Sequence, residues 1–129
     1  MHRPTVRGLA RGLLALGLLG MGVAHFRPGP ARTMAAMIPP ALRRSGLASP
    51  EALVASTGAC ELAGAVGLLV PRTRRLAGAC LIAFLAAVFP ANAYAARHPD
   101  RFGAVAIPFW PRLALQVALG ALTAWVSRD

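Results

Sequence analysis

The chain has 129 residues, 57% of them hydrophobic and only 14% charged, with 14 basic residues against 4 acidic ones and a formal net charge of +10. That length is one domain's worth. The basic residues are all arginine and gather at the ends of long apolar runs (Arg3, Arg7 and Arg11; Arg43 and Arg44; Arg72, Arg74 and Arg75), which suits lipid headgroups and argues against a nucleic-acid partner.

Four apolar stretches follow along the chain. About 20 apolar residues cross a bilayer core at about 1.5 Å rise per residue. The first, "GLARGLLALGLLGMGVAHF", predicts a helix over 8–26. Its basic start, apolar centre and small Ala24 would also suit a signal peptide. Its glycines (Gly8, Gly12, Gly17, Gly20, Gly22) point instead to a face packed on neighbouring helices. "PARTMAAMIPP" then reads as a short helix on the membrane surface, with Met34, Met37 and Ile38 dipping in, or as plain loop.

The second helix is expected over 50–70. Ser49 can cap it, Pro50 fits its first position, and Glu51 meets the positive end of its dipole. "PRTR" is the only link to the third helix, over 74–96, so these two are antiparallel neighbours. Thr73 is the expected cap of the third helix, and His98-Pro99-Asp100 its stop. The fourth helix is expected over 108–126. Phe102, Phe109 and Trp110 read as an interfacial aromatic cluster, with Trp125 anchoring the opposite surface. The expected fold is all-α: a four-transmembrane-helix bundle, one transmembrane domain over 1–129.

With four spans, the arginines divide evenly between the two sides of the membrane. Three of them crowd the tiny turn between helices two and three, however, and the positive-inside rule weights such turns. Both termini are therefore expected in the cytoplasm, with the two longer loops outside.

Glu61 is the costliest residue to bury. It lies near the membrane midplane, where an ionised carboxylate is unfavourable unless paired, protonated or wet. Its helical neighbours Thr57, Gly58, Gly64 and Ala65 are small, so this face can press against another helix. Asn92 and Gln116 each sit about one turn inside the outer boundary, and His25 and Arg112 sit at that boundary. Pro90 leaves the Ala86 carbonyl without its usual donor and predicts a kink. Together these residues could build one polar cavity near the outer face, holding a ligand or a proton. The blander reading makes Asn92 and Gln116 interhelical glue, Arg112 a flanking charge, His25 an interfacial residue and Glu61 half of a buried ion pair.

No CxxC, HExxH or phosphate-cradling loop is present, and the histidines (His2, His25, His98) lack metal spacing. Only His25 lies in a span, so a bis-histidine haem would need a homodimer or a partner. Cys60 and Cys80 differ in depth by roughly 5–10 Å, which disfavours a disulfide. They read as small packing residues.

The stretches "GVAHF", "MIPP", "STGACELAGAVGLLVPRTRRLAGACLIAFLAAVFPANAYAA" and "PRLALQ" resemble the DoxX-like family of small bacterial membrane proteins. The resemblance runs from Gly22 to Trp125. It is most specific at Glu61 to Gly64, Pro71 to Gly78 and Phe89 to Asn92, and departs from the usual "PANIY" at Ala93. It implies a four-helix membrane bundle. The family takes its name from a subunit of a membrane thiosulfate:quinone oxidoreductase, and other members resemble subunits of membrane-associated oxidative-stress complexes. Glu61, Pro90, Asn92, Arg112 and Gln116 carry over as motif positions without an assigned role.

The expected function is thus an integral inner-membrane, multi-pass protein, a non-catalytic subunit or small-molecule binder linked to quinone or sulfur redox chemistry. Its partners would be the lipid bilayer, a redox subunit and further copies of itself as a homo-oligomer, and its ligand a quinone headgroup or a small solute. A proton-coupled small-solute carrier or channel using Glu61 is the first rival. A structural lipid-packing protein and a stand-alone enzyme, for which no nucleophile–base pair or metal set is visible, are the others.

Overall fold

A computed structural model describes residues 3–128. Seven α-helices follow in order: α1 (Val6–Ala24), α2 (Pro28–Met37), α3 (Pro40–Arg44), α4 (Pro50–Leu69), α5 (Arg74–Ala96), α6 (Pro99–Phe102) and α7 (Phe109–Val126), with a 3₁₀ turn at Gly103–Val105 before the last. The all-α fold is as expected. The four expected spans correspond to α1, α4, α5 and α7, and four stretches are long and apolar enough to cross a membrane: Val6–Ala24, Pro50–Leu69, Arg74–Ala96 and Pro99–Val126, the last of which takes in α6 and α7. Their outward faces are greasy: Leu13 is 71% exposed, and Leu16, Val66, Leu76 and Val117 are more than half exposed. Apolar exposure on that scale suits lipid, not water.

The start of α1, the end of α7 and the 70–73 turn share one end of the bundle, here the terminal end. Residues 25–49 and 97–108 form the loop end. Around the bundle, α1 packs on α4, α4 on α5, α5 on α7, and α7 back on α1.

The helix boundaries have local causes. Thr5 accepts from the Gly8 amide at 3.0 Å, which starts α1 two residues before the apolar run. Ser49 caps α4 by accepting from the Ala52 amide at 3.1 Å, with Pro50 and Glu51 in the first turn. Thr73 does not cap α5 as expected. Its hydroxyl donates backwards to the Gly67 carbonyl at 2.9 Å, while Arg74 Nε donates to the Leu68 carbonyl at 3.1 Å. The short turn is thereby closed by satisfying the otherwise orphaned carbonyls at the end of α4.

At the terminal end, Arg11 Nε donates to the Val126 carbonyl at 2.7 Å and its Nη2 to the Arg128 carbonyl at 3.1 Å. A cation there meets the negative end of α7. Arg7 lies over the Trp125 ring at 5.5 Å.

Two apolar cores lie along the bundle. One joins Leu68, Ala77 and Leu81 with Leu14, Leu18 and Phe84. The other, at the loop end, joins Met37, Ala95 and Phe102. The segment after α1 is therefore a helix that roofs α4 and α5, with Met37 and Ile38 buried in protein and Met34 half-buried. Arg43 fastens the end of α2 by donating to the Ala35 and Ile38 carbonyls at 2.6 and 3.1 Å.

Three sequence expectations are corrected. Phe102 is a core residue, while Trp110 stays 74% exposed and Phe109 packs edge-on to Phe89. Of the α1 glycines, Gly22 is the one pressed against another helix; Gly12, Gly17 and Gly20 face open space. Cys60 and Cys80 are free and exposed, so they fill no interior gap.

Candidate functional site

The site begins with two glycines. A Cβ on Gly58 would lie 2.6 Å from His25 Cβ and 3.0 Å from the Gly22 carbonyl; one on Gly22 would lie 2.9 Å from Leu62. Only backbones without side chains can cross this closely. The crossing sets the last turn of α1 against the middle of α4. His25, just past the end of α1, therefore sits deeper than its place at a span boundary suggests, within reach of Glu61.

His25 Nδ1 stands 3.2 Å from Glu61 Oε2, and both side chains are about nine-tenths buried. The same Nδ1 lies 2.8 Å from the Met21 carbonyl. A carbonyl can only accept, so Nδ1 carries a hydrogen and donates it there. Glu61 Oε2 is thus in contact with the imidazole but receives no well-aligned hydrogen bond.

Helix register extends this level across the bundle. Gly64 of α4 faces Leu81 of α5, and Gly67 faces Ala77. The helices run antiparallel, so Glu61, nearly one turn on, lies opposite Phe84 and Leu85. Gln116 of α7 donates through Nε2 to the Leu85 carbonyl. Glu61 and Gln116 therefore share one depth. Gln116 Oε1 is buried without a partner, and so is Arg112 Nε, one turn nearer the loop end.

The layer has a floor. Just towards the terminal end, Leu14, Leu18, Leu81, Phe84, Leu85, Leu119 and Thr123 enclose a cavity of about 30 Å³. That is room for a single water, and its lining is almost wholly apolar. Leu68, fully buried, lies in the core beside it.

The sequence candidates thus separate. His25 and Glu61 pair directly, and Gln116 and Arg112 lie on the α5-facing part of α7. Asn92 is not part of the layer. Its amide donates to the Val88 carbonyl of its own helix at 3.4 Å, about two turns from Leu85. Pro90 sits on the exposed face of α5, which continues helical through it to Ala96. Sequence reasoning missed Met21, whose carbonyl orients the imidazole, and Leu85, whose carbonyl takes Gln116. Both act through backbone atoms and leave no side-chain signal. Among the described residues, no group of three His, Cys, Asp or Glu side chains gathers to hold a metal ion.

His25 and Glu61 thus meet where α1 crosses α4, while Gln116 and Arg112 lie on α7 against α5 at a similar depth, with acceptor and donor atoms left unmatched in both places. Such a set can hold a small polar molecule or a proton. No curated protein and no solved structure matches the chain. A family model does match, over residues 14–128, and the chain belongs to that family, described as a domain of unknown function (DUF8561).

Proposed function

We propose that this protein is a membrane-embedded binding component that holds a small polar molecule in the layer around Glu61. The observation that carries this reading is the set of unmatched buried atoms: Glu61 Oε2, Arg112 Nε and Gln116 Oε1. Buried polar atoms without hydrogen bonds are costly in an apolar interior, and a ligand bearing both donors and acceptors removes the cost. The apolar floor beneath the layer favours a one-sided site over a continuous pore.

Of the two redox states of a quinone headgroup, the quinol fits this donor and acceptor set: its two hydroxyls can donate to Glu61 Oε2 and Gln116 Oε1, and a hydroxyl oxygen can accept from Arg112 Nε, whereas the oxidised ring offers acceptors alone. A bound quinone would supply two-electron, two-proton redox chemistry. The chain's own share is to bind, to orient the ring and to hold a proton at Glu61 or His25. We place the protein in the inner membrane, multi-pass, with both termini in the cytoplasm, on the arginine density of the 70–73 turn. Its role as a non-catalytic subunit beside a redox partner rests on the DoxX-like resemblance of "ELAG", "PRTRRLAG" and "FPAN".

The test is native mass spectrometry of protein extracted gently from its own membrane, with an absorption spectrum of the same sample. A bound quinone, or a co-purifying flavin or haem subunit, is the expected result. A colourless protein carrying phospholipid alone would contradict it.

A second reading is favoured by the His25–Glu61 pair itself, since two titratable groups in contact form a proton-holding unit. As a proton-coupled carrier, the protein would show pH-driven solute flux in proteoliposomes that Glu61→Gln abolishes. Flux no greater than in empty liposomes, across a broad solute panel, would sink this reading.

A further inference from the structure

Three of the four seams of the bundle are closed beside the polar layer. Gly22 of α1 presses on Gly58 of α4, and Gly64 of α4 takes Leu81 of α5. Gln116 and Phe109 of α7 meet the Leu85 carbonyl and the Phe89 ring of α5. At the loop end α2 roofs α4 and α5. The fourth seam, between α7 and α1, is fastened at the terminal end, where Arg11 donates to the Val126 and Arg128 carbonyls.

Exposure along this fourth seam rises towards the loop end on both helices. On α7, Val126, Leu122, Leu119 and Leu115 form one row at helical spacing. Val126 is fully buried, Leu122 and Leu119 are half-buried, and Leu115 is 41% exposed. On α1 the matching row is Leu14, Leu18 and Met21. Leu14 and Leu18 are half-buried and wall the small cavity together with Leu119 and Thr123 of α7, whereas Met21 is 51% exposed. Two rows that meet lower down and are both uncovered higher up describe a slot that widens towards the loop end. α1 parts from α7 there because the glycine crossing carries it on to α4. The mouth of the slot lies in hydrocarbon. Leu115 is about 8 Å inside Trp110, which stays exposed at headgroup depth, and Met21 is in the last turn of α1. Polar groups of both helices stand behind the mouth. His25, one turn on from Met21, touches Glu61, whose nine-tenths buried side chain leaves Oε2 without a hydrogen bond; Arg112, one turn from Leu115, precedes Gln116, and both carry unmatched atoms.

We infer that the ligand is a bilayer-borne amphiphile that enters sideways between α1 and α7, its hydroxylated head set against the unmatched polar atoms and its tail left between Met21 and Leu115. A water-borne solute would have to pass the apolar roof of Met37, Ala95 and Phe102 or the apolar floor of the layer; a molecule already dissolved in the membrane meets neither. Its tail stays in contact with lipid, so only the head has to be desolvated by the protein. The inference rests on the binding role proposed for the Glu61 layer, and adds the class of molecule and its route.

The test uses the full chain in lipid nanodiscs with two probes, a hydroquinone with a decyl tail bearing a diazirine near the ring, and the same ring without a tail. Photolysis of the tailed probe on the wild type should label the segments around Met21 and Leu115, and Glu61→Gln should lose that labelling. Met21→Trp/Leu115→Trp, which fills the slot from both sides, should bind the tailed probe about tenfold more weakly and the tail-less ring as well as the wild type does. Labelling spread evenly over the lipid-facing helices, with tail-less binding still lost in Glu61→Gln, would overturn the slot and leave the layer standing. So would equal binding of the tailed probe by the wild type and the tryptophan variant at unchanged helix content. Labelling at Met21 and Leu115 that persists undiminished in Glu61→Gln would overturn the layer as the seat of the head, and the inference with it.

Discussion

His25 Nδ1 meets Glu61 Oε2 at 3.2 Å because Gly22 and Gly58 let α1 and α4 cross in near backbone contact. The pair is buried, and its imidazole is already committed to the Met21 carbonyl. The two side chains should therefore behave as one unit. Thermal unfolding in detergent of His25→Ala, Glu61→Gln and the double variant should show a coupling of about 1 kcal/mol. Strictly additive losses would mean that the contact carries no energy.

The glycines divide sharply by surroundings. Gly58→Ala should destabilise by about 1–3 kcal/mol, because the new methyl meets His25 Cβ and the Gly22 backbone, which cannot swing aside. Gly12→Ala, Gly17→Ala and Gly20→Ala have open space and should be neutral or stabilising by up to about 1 kcal/mol from helix propensity. Comparing the four melting temperatures checks the crossing point; a uniform response would place it elsewhere.

These glycines also show what the sequence could and could not convey. Spans are written in long apolar runs and in local signals such as Ser49-Pro50-Glu51, so α4 and α5 match their expected limits to within a residue. A packing face depends on where the neighbouring helix runs. Five glycines on α1 could not reveal that contact falls on Gly22. Thr73 was misread for a related reason. In so tight a turn, its hydroxyl is turned back to donate to the Gly67 carbonyl of α4 and accepts no amide of the first turn of α5. Glu61 was conspicuous as a carboxylate among small residues, but its partner was not. His25 reaches it because α1 ends against the middle of α4, a fact of packing. Asn92 looked equally conspicuous, yet it bonds within its own helix.

Arg11 closes the bundle between its first and last helices. Arg11→Leu should fray the end of α7, with faster amide hydrogen exchange over 124–128 and a loss of about 1–2 kcal/mol. Arg11→Lys should recover part of this, since one ammonium cannot reproduce two forked bonds. Unchanged exchange in the leucine variant would show that α7 is held by packing alone.

Gln116 and Asn92 should differ although both are side-chain amides. Gln116→Leu removes the bond that links α7 to the Leu85 carbonyl of α5 and should cost about 1 kcal/mol. Asn92→Ala removes only a bond within its helix and should cost less than about 0.5 kcal/mol. The reverse order in detergent unfolding would move the polar layer towards Asn92.

The most direct measurement is the small-molecule content of protein purified in parallel as the wild type, as Glu61→Gln and as Val66→Ala. Val66→Ala alters the outward face of α4, away from the crossing and the unmatched polar atoms. The expected result is a bound polar molecule in the wild type and in Val66→Ala, lost in Glu61→Gln while its helix content stays the same. An identical complement of bound molecules in all three proteins would contradict a binding role for the Glu61 layer.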